Sequence, residues 1–139
     1  MFCFGKYDRK CSKKGEIRVP AKWIEKDIEL ICIWCKDCLQ QVEFLRFFYE
    51  NKDLETFLET METNMDYEIL QKGIHNILEK RKIIALPKNF IMKNSTQQKE
   101  VVCLGIGNGF EIWRADEYYS VQGNSLEDML DILSDEIEF

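Results

Sequence analysis

The chain predicts an α+β fold built from two copies of one strand–strand–helix unit. Two observations carry that expectation. A strand–proline–helix window occurs twice, and each copy is followed by two apolar runs separated by a turn. A third bounds it: 139 residues, 45% hydrophobic with only two prolines, suffice for one core without disulfides or metal. The two copies divide the chain at about residue 63.

The first window reads Lys14-Gly15-Glu16-Ile17-Arg18-Val19-Pro20-Ala21-Lys22-Trp23-Ile24, and the second Arg81-Lys82-Ile83-Ile84-Ala85-Leu86-Pro87-Lys88-Asn89-Phe90-Ile91. Each passes from a charged turn through β-branched residues to Pro, with an aromatic three residues on. Proline in a first helical turn loses no hydrogen bond, and its fixed φ suits the helix. A strand should therefore turn into a helix at Pro20 and again at Pro87.

An apolar strand follows each window, Glu29 to Trp34 in one half and Val101 to Ile106 in the other. A second strand is expected around Leu39 to Val42, and its counterpart over Phe110 to Trp113. Gly105, Gly107 and Gly109 with Asn108 supply the turn in the second pair. Amphipathic helices come next, holding Phe47, Leu54, Phe57, Leu58 and Met61 in one half and Leu126, Met129, Leu130 and Leu133 in the other. A further helix near Asp66 to His75 is expected to link the halves. The aromatics Phe44, Phe47, Phe48, Tyr49, Tyr118 and Tyr119 exceed what one small core needs, which points to self-association.

Charge is segregated along the chain. The net charge is −6, yet residues 1–22 hold seven bases against Asp8 and Glu16, and residues 72–93 hold six against Glu79. Residues 115–139 hold eight acids and no base. The two basic windows coincide with the two repeated windows.

The usual chemical constellations are missing. There is no His–carboxylate or Ser–His pairing and no phosphate-cradling loop with its Lys-Ser/Thr, so the chain does not read as an enzyme. Gly105-x-Gly107-x-Gly109 sits between two strands instead of opening a helix, so it is no dinucleotide fingerprint. Cys32-x-x-Cys35-x-x-Cys38 has metal-like spacing, but it lacks a fourth Cys and begins in an apolar strand where free Cys packs as a small hydrophobe. His75, the single histidine, has no metal-site partner and reads as an ordinary helix residue. No metal and no cofactor are expected. Met1-Phe2-Cys3-Phe4-Gly5 has no basic segment before an apolar one, and no apolar run approaches membrane length, so the expected location is the cytoplasm.

The stretch Lys99-Glu100-Val101-Val102-Cys103-Leu104-Gly105-Ile106-Gly107-Asn108-Gly109-Phe110-Glu111-Ile112-Trp113 resembles the second-half signature of MraZ proteins, a branch of the AbrB-like DNA-binding proteins. Met1-Phe2 with Gly5, Lys13-Lys14-Gly15 and Pro20-Ala21-Lys22 resemble their first half. That resemblance implies a swapped-hairpin, double-psi-like β core flanked by helices and assembled into a homo-oligomeric ring. It also implies a nucleoid-associated transcriptional regulator that binds double-stranded DNA repeats upstream of the division and cell-wall gene cluster.

The family carries an Asp-x-x-x-Arg motif in each half, with the Arg serving the DNA-facing loop. Its positions fall here on Ser12 to Glu16 and on Glu79 to Ile83, so both arginines and both aspartates are replaced. The flanking bases remain as candidate DNA contacts: Lys13, Lys14 and Arg18 in one half, Lys80, Arg81 and Lys82 in the other. The alternative is an oligomeric interaction protein that keeps the fold and has lost sequence-specific DNA binding.

Overall fold

In the computed structural model, which describes residues 3–63, 67–92 and 99–121, the apolar runs become strands and the two windows become strand–helix corners. The N-terminal part supplies β1 (Lys6–Lys10), β2 (Glu16–Arg18), a single 3-10 turn at Ala21–Trp23, β3 (Ile28–Asp37), β4 (Val42–Phe48) and helix α1 (Asn51–Thr63). The C-terminal part supplies β5 (Tyr67–Ile77), β6 (Ile83–Ala85), α2 (Lys88–Met92), β7 (Glu100–Gly105) and β8 (Gly109–Arg114). A helix, α3, follows over 115–121. The strands are antiparallel and the helices few, an α+β fold as the sequence predicts.

Six strands form one sheet in the order β1-β7-β8-β4-β3-β5, and β2 pairs with β6 in a separate two-stranded ribbon. The pairing is reciprocal. β1 lies against β7 of the C-terminal hairpin, while β5 lies against β3 of the N-terminal hairpin. The hairpins meet through β4 and β8, where Phe47 faces Phe110 and their rings stack 4.8 Å apart.

β3 is apolar almost throughout because both of its faces are covered. Leu30, Cys32 and Trp34 pack toward the ribbon with Ile17, Val19, Trp23, Ile84, Leu86 and Phe90. Ile31, Ile33 and Cys35 pack on the other side with Phe44, Phe48 and Leu54 of α1. Strand alternation thus sends Cys32 and Cys35 to opposite faces, and their spacing is that of a buried strand. Burial pushes each of these thiols up to about 12.

Several expectations need correction. The linking helix near Asp66 to His75 is an edge strand over the described part, and His75 is a strand residue facing Leu30. β3 presents two apolar faces and an open edge, and satisfying that edge outweighs local propensity. The strand expected around Leu39 to Val42 starts only at Val42. Leu39 and Gln40 instead donate their amides to Asp37 Oδ1 in an Asx turn. Phe47 belongs to β4, and Phe44, Phe47 and Phe48 are buried in the core instead of forming a self-association surface. The expected helix with Leu126, Met129, Leu130 and Leu133 lies outside the described residues. No described helix is long and apolar enough to cross a membrane.

Candidate nucleic-acid interface

The ribbon positions the candidate bases. Its register pairs Glu16 with Ala85, Ile17 with Ile84 and Arg18 with Ile83. Directly opposed residues share a face, so Ile17 and Ile84 point into the core and the other four residues form the outer face. Each strand of the ribbon follows a basic turn. Because the strands are antiparallel, the two turns lie at opposite ends, roughly 10 Å apart for three residues at about 3.4 Å each.

At one end, Lys13 and Lys14 are exposed in a turn organised by Ser12. The Ser12 hydroxyl accepts the amides of Lys14 (3.3 Å) and Glu16 (3.1 Å), and its carbonyl accepts the Gly15 amide at 2.9 Å. A side-chain oxygen at this position organises the turn, as Ser, Asp and Asn commonly do. Gly15 takes a φ of 77°, the left-handed conformation that ends the turn.

At the other end, Leu78 accepts the amides of Arg81 (3.1 Å) and Lys82 (2.9 Å), and the Glu79 amide donates to Asp27 Oδ1 at 3.0 Å. Lys80 and Arg81 are exposed. Lys82 is half-buried at a φ of 51°, and its ammonium donates to the Ala21 carbonyl at 3.1 Å. Lys82 therefore supports the structure as well as adding charge.

Arg18 moves between clusters. By sequence it groups with Lys13 and Lys14; across the ribbon it lies opposite Ile83, beside Lys82. Sequence reasoning also missed Arg9. Its Nε donates to the Arg18 carbonyl at 2.9 Å, its Nη1 donates to the Asp8 carbonyl at 3.2 Å, and its guanidinium lies 5.3 Å from the centre of the Tyr7 ring. Arg9 was countable as a base in the first window, but nothing local indicated that β1 would place it against β2.

No protein-family model matches the chain. The chain is 29% identical over 130 residues to the "Transcriptional regulator MraZ" of Mycoplasma capricolum subsp. capricolum, a match covering 83% of this chain and 89% of that relative. The chain is thus similar to a MraZ regulator over most of its length. A match of that coverage takes in residues of both halves.

Among the described residues, Lys13, Lys14, Arg18, Lys80 and Arg81 form no ion pair, and no group of three His, Cys, Asp or Glu side chains could hold a metal ion. The ion pairs lie elsewhere. Arg46 pairs with Glu111 on the α1 side of the sheet, and buried Arg114 makes 2.9 Å bonds to both carboxylate oxygens of Glu117. Among the described residues, the ribbon ends thus combine cations free of ion pairs with hydrogen-bonded turns and show no acid–base or nucleophilic pair.

Proposed function

We propose that this chain is a divergent MraZ-type transcriptional regulator, built from two repeats of about 1–63 and 64–139, that binds double-stranded DNA through the basic ends of the β2–β6 ribbon. One observation carries the reading: two turns bearing unpaired bases sit at the same step of each half, held by one shared ribbon. The MraZ likeness supports it. The reciprocal pairing of β1 with β7 and β5 with β3 supports a swapped-hairpin core and the two-repeat division.

The binding residues are Lys13, Lys14, Arg18, Lys80, Arg81 and Lys82. Cations neutralise phosphates and release condensed counterions, so their effect is read in the salt dependence of affinity. The DNA is repeats upstream of the division and cell-wall gene cluster, reached in the cytoplasm on the nucleoid. The protein acts as a homo-oligomeric ring, supported by Ile69, Leu70, Ile74 and Leu78, which are exposed on or next to the open edge strand β5. Several ribbons on successive DNA repeats gain affinity through effective concentration. It is not an enzyme and needs no cofactor.

The interaction-protein reading is favoured by Glu16 and Ile83, which fill the motif's Arg positions with an acid and an alkyl group. A combined Lys80→Ala, Arg81→Ala, Lys82→Gly variant tests the DNA-binding reading, and failure of the parent protein to bind duplex at low salt would favour the other. Glycine at 82 keeps the left-handed turn. Weaker duplex binding with a flatter salt slope, in a protein that still folds, is the expected result. Unchanged affinity and slope would move the DNA face elsewhere.

A further inference from the structure

We infer that the two ends of the ribbon are unequal, and that duplex DNA is gripped by the end bearing Arg9, Arg18, Lys80, Arg81 and Lys82 while the Lys13–Lys14 end contributes little. This rests on the DNA-binding reading above and deepens it.

The halves superimpose along the chain with Val19 matching Leu86, a match expressed in reciprocal bonds: Val19 N–H to the Lys82 carbonyl (2.9 Å) and Leu86 N–H to the Gly15 carbonyl (3.0 Å). In that register Arg18 matches Ala85, Lys82 matches Gly15 and Arg9 matches Asn76. Every one of these differences adds a base to the same end. The outer face repeats the bias, with Arg18 opposite Ile83 at one end and Glu16 opposite Ala85 at the other. Lys88 and Lys13–Lys14 share the second end with Glu16, whose carboxylate repels phosphate.

The first end also carries acids, so its advantage lies in the number and placement of its bases. Glu79 precedes Lys80, and Asp27 Oδ1 is occupied by the Glu79 amide. Asp8 turns away, bonded to the Tyr119 hydroxyl at 2.5 Å. Arg9 is already oriented by its two carbonyl bonds and by Tyr7, so its Nη2 edge is presented with little further ordering. Arg18 projects from the outer face with no side-chain bond among the described residues.

The test uses the full-length protein and a fluorescent duplex from the DNA upstream of its own gene, read by anisotropy across a salt series. Arg9→Gln/Arg18→Gln should weaken binding at least ~10-fold and lower the salt slope by about 1.8, near 0.9 for each phosphate no longer neutralised. Lys13→Gln/Lys14→Gln should weaken it less than ~3-fold. Arg18→Gln alone guards against misfolding from removal of the Arg9 hydrogen bonds, and should account for about half of the slope change. If Lys13→Gln/Lys14→Gln matches or exceeds the arginine pair, the unequal grip is overturned while DNA binding stands. A parent protein that binds no duplex at low salt removes both.

Discussion

The Val19 amide donates to the Lys82 carbonyl over 2.9 Å, and in the other half the Leu86 amide repeats the bond to Gly15. Two non-local bonds thereby tie each basic turn to the strand–proline step of the other half. The acceptors, Gly15 and Lys82, both hold positive φ, at 77° and 51°. Left-handed backbone is disfavoured for residues with a Cβ by about 1–2 kcal/mol. Gly15→Ala also brings a Cβ to 2.7 Å from Ile91 Cδ1. It should destabilise by about 2 kcal/mol in urea unfolding. Lys82→Gly should change stability by less than about 1 kcal/mol, because relief of the strain at 82 offsets loss of the bond to the Ala21 carbonyl.

Gly109 answers to close approach. A Cβ there would lie 2.1 Å from the Phe47 carbonyl oxygen, where β8 begins its pairing with β4. The clash is with backbone and cannot be relieved by a rotamer change. Gly109→Ala should lower stability by about 3 kcal/mol or more, measured by urea unfolding. A shift under about 1 kcal/mol would contradict the β4–β8 register.

The aromatics after the two prolines are matched in burial and in how their carbonyls are capped. Trp23 and Phe90 are both almost fully buried. The Tyr49 hydroxyl donates to the Trp23 carbonyl at 2.8 Å, and Arg114 Nη1 donates to the Phe90 carbonyl at 3.1 Å. Trp23→Ala and Phe90→Ala should each cost about 3–5 kcal/mol. Tyr49→Phe should cost about 1–2 kcal/mol, since it leaves a part-buried carbonyl unpaired. Thermal melts of the three variants check the ordering.

How much was legible follows from these residues. The strand–proline–helix corners, β7, β8 and their glycine turn were readable because proline, β-branched runs and glycine act locally. β5 was not. Its residues Glu68, Gln71, Lys72 and Asn76 are polar enough for an exposed helix, and only the open edge of β3 makes a strand of them. Phe47 read as part of a helix face because a strand covered on both sides loses its period of two. In the interface, the basic turns were visible, but the joining of Arg9 and Arg18 to the Lys80–Lys82 end depends on antiparallel pairing between distant parts of the chain. No short-range signal carries that.

The thiols give a pH prediction. Burial raises Cys32, Cys35 and Cys103 to about 12 and Cys11 to about 11. Unfolded thiols titrate near ~8.5. Groups whose folded value is raised add stability that is whole below the unfolded value and declines as pH climbs above it. Stability should therefore hold through about pH 8 and fall above about pH 8.5. Cys38, half-exposed in the β3–β4 turn, should react first with a thiol reagent at about pH 8, and Cys32, Cys35 and Cys103 only on unfolding.

The measurement that most directly tests the central claim is a titration of the unmodified protein against its own upstream duplex and a scrambled duplex, each at two salt concentrations. Specific binding should appear as tighter association with the upstream duplex at both salts. Affinity for either duplex should fall steeply with salt, because phosphate neutralisation drives it. Absence of duplex binding at low salt would contradict the account and leave an interaction protein on the same fold.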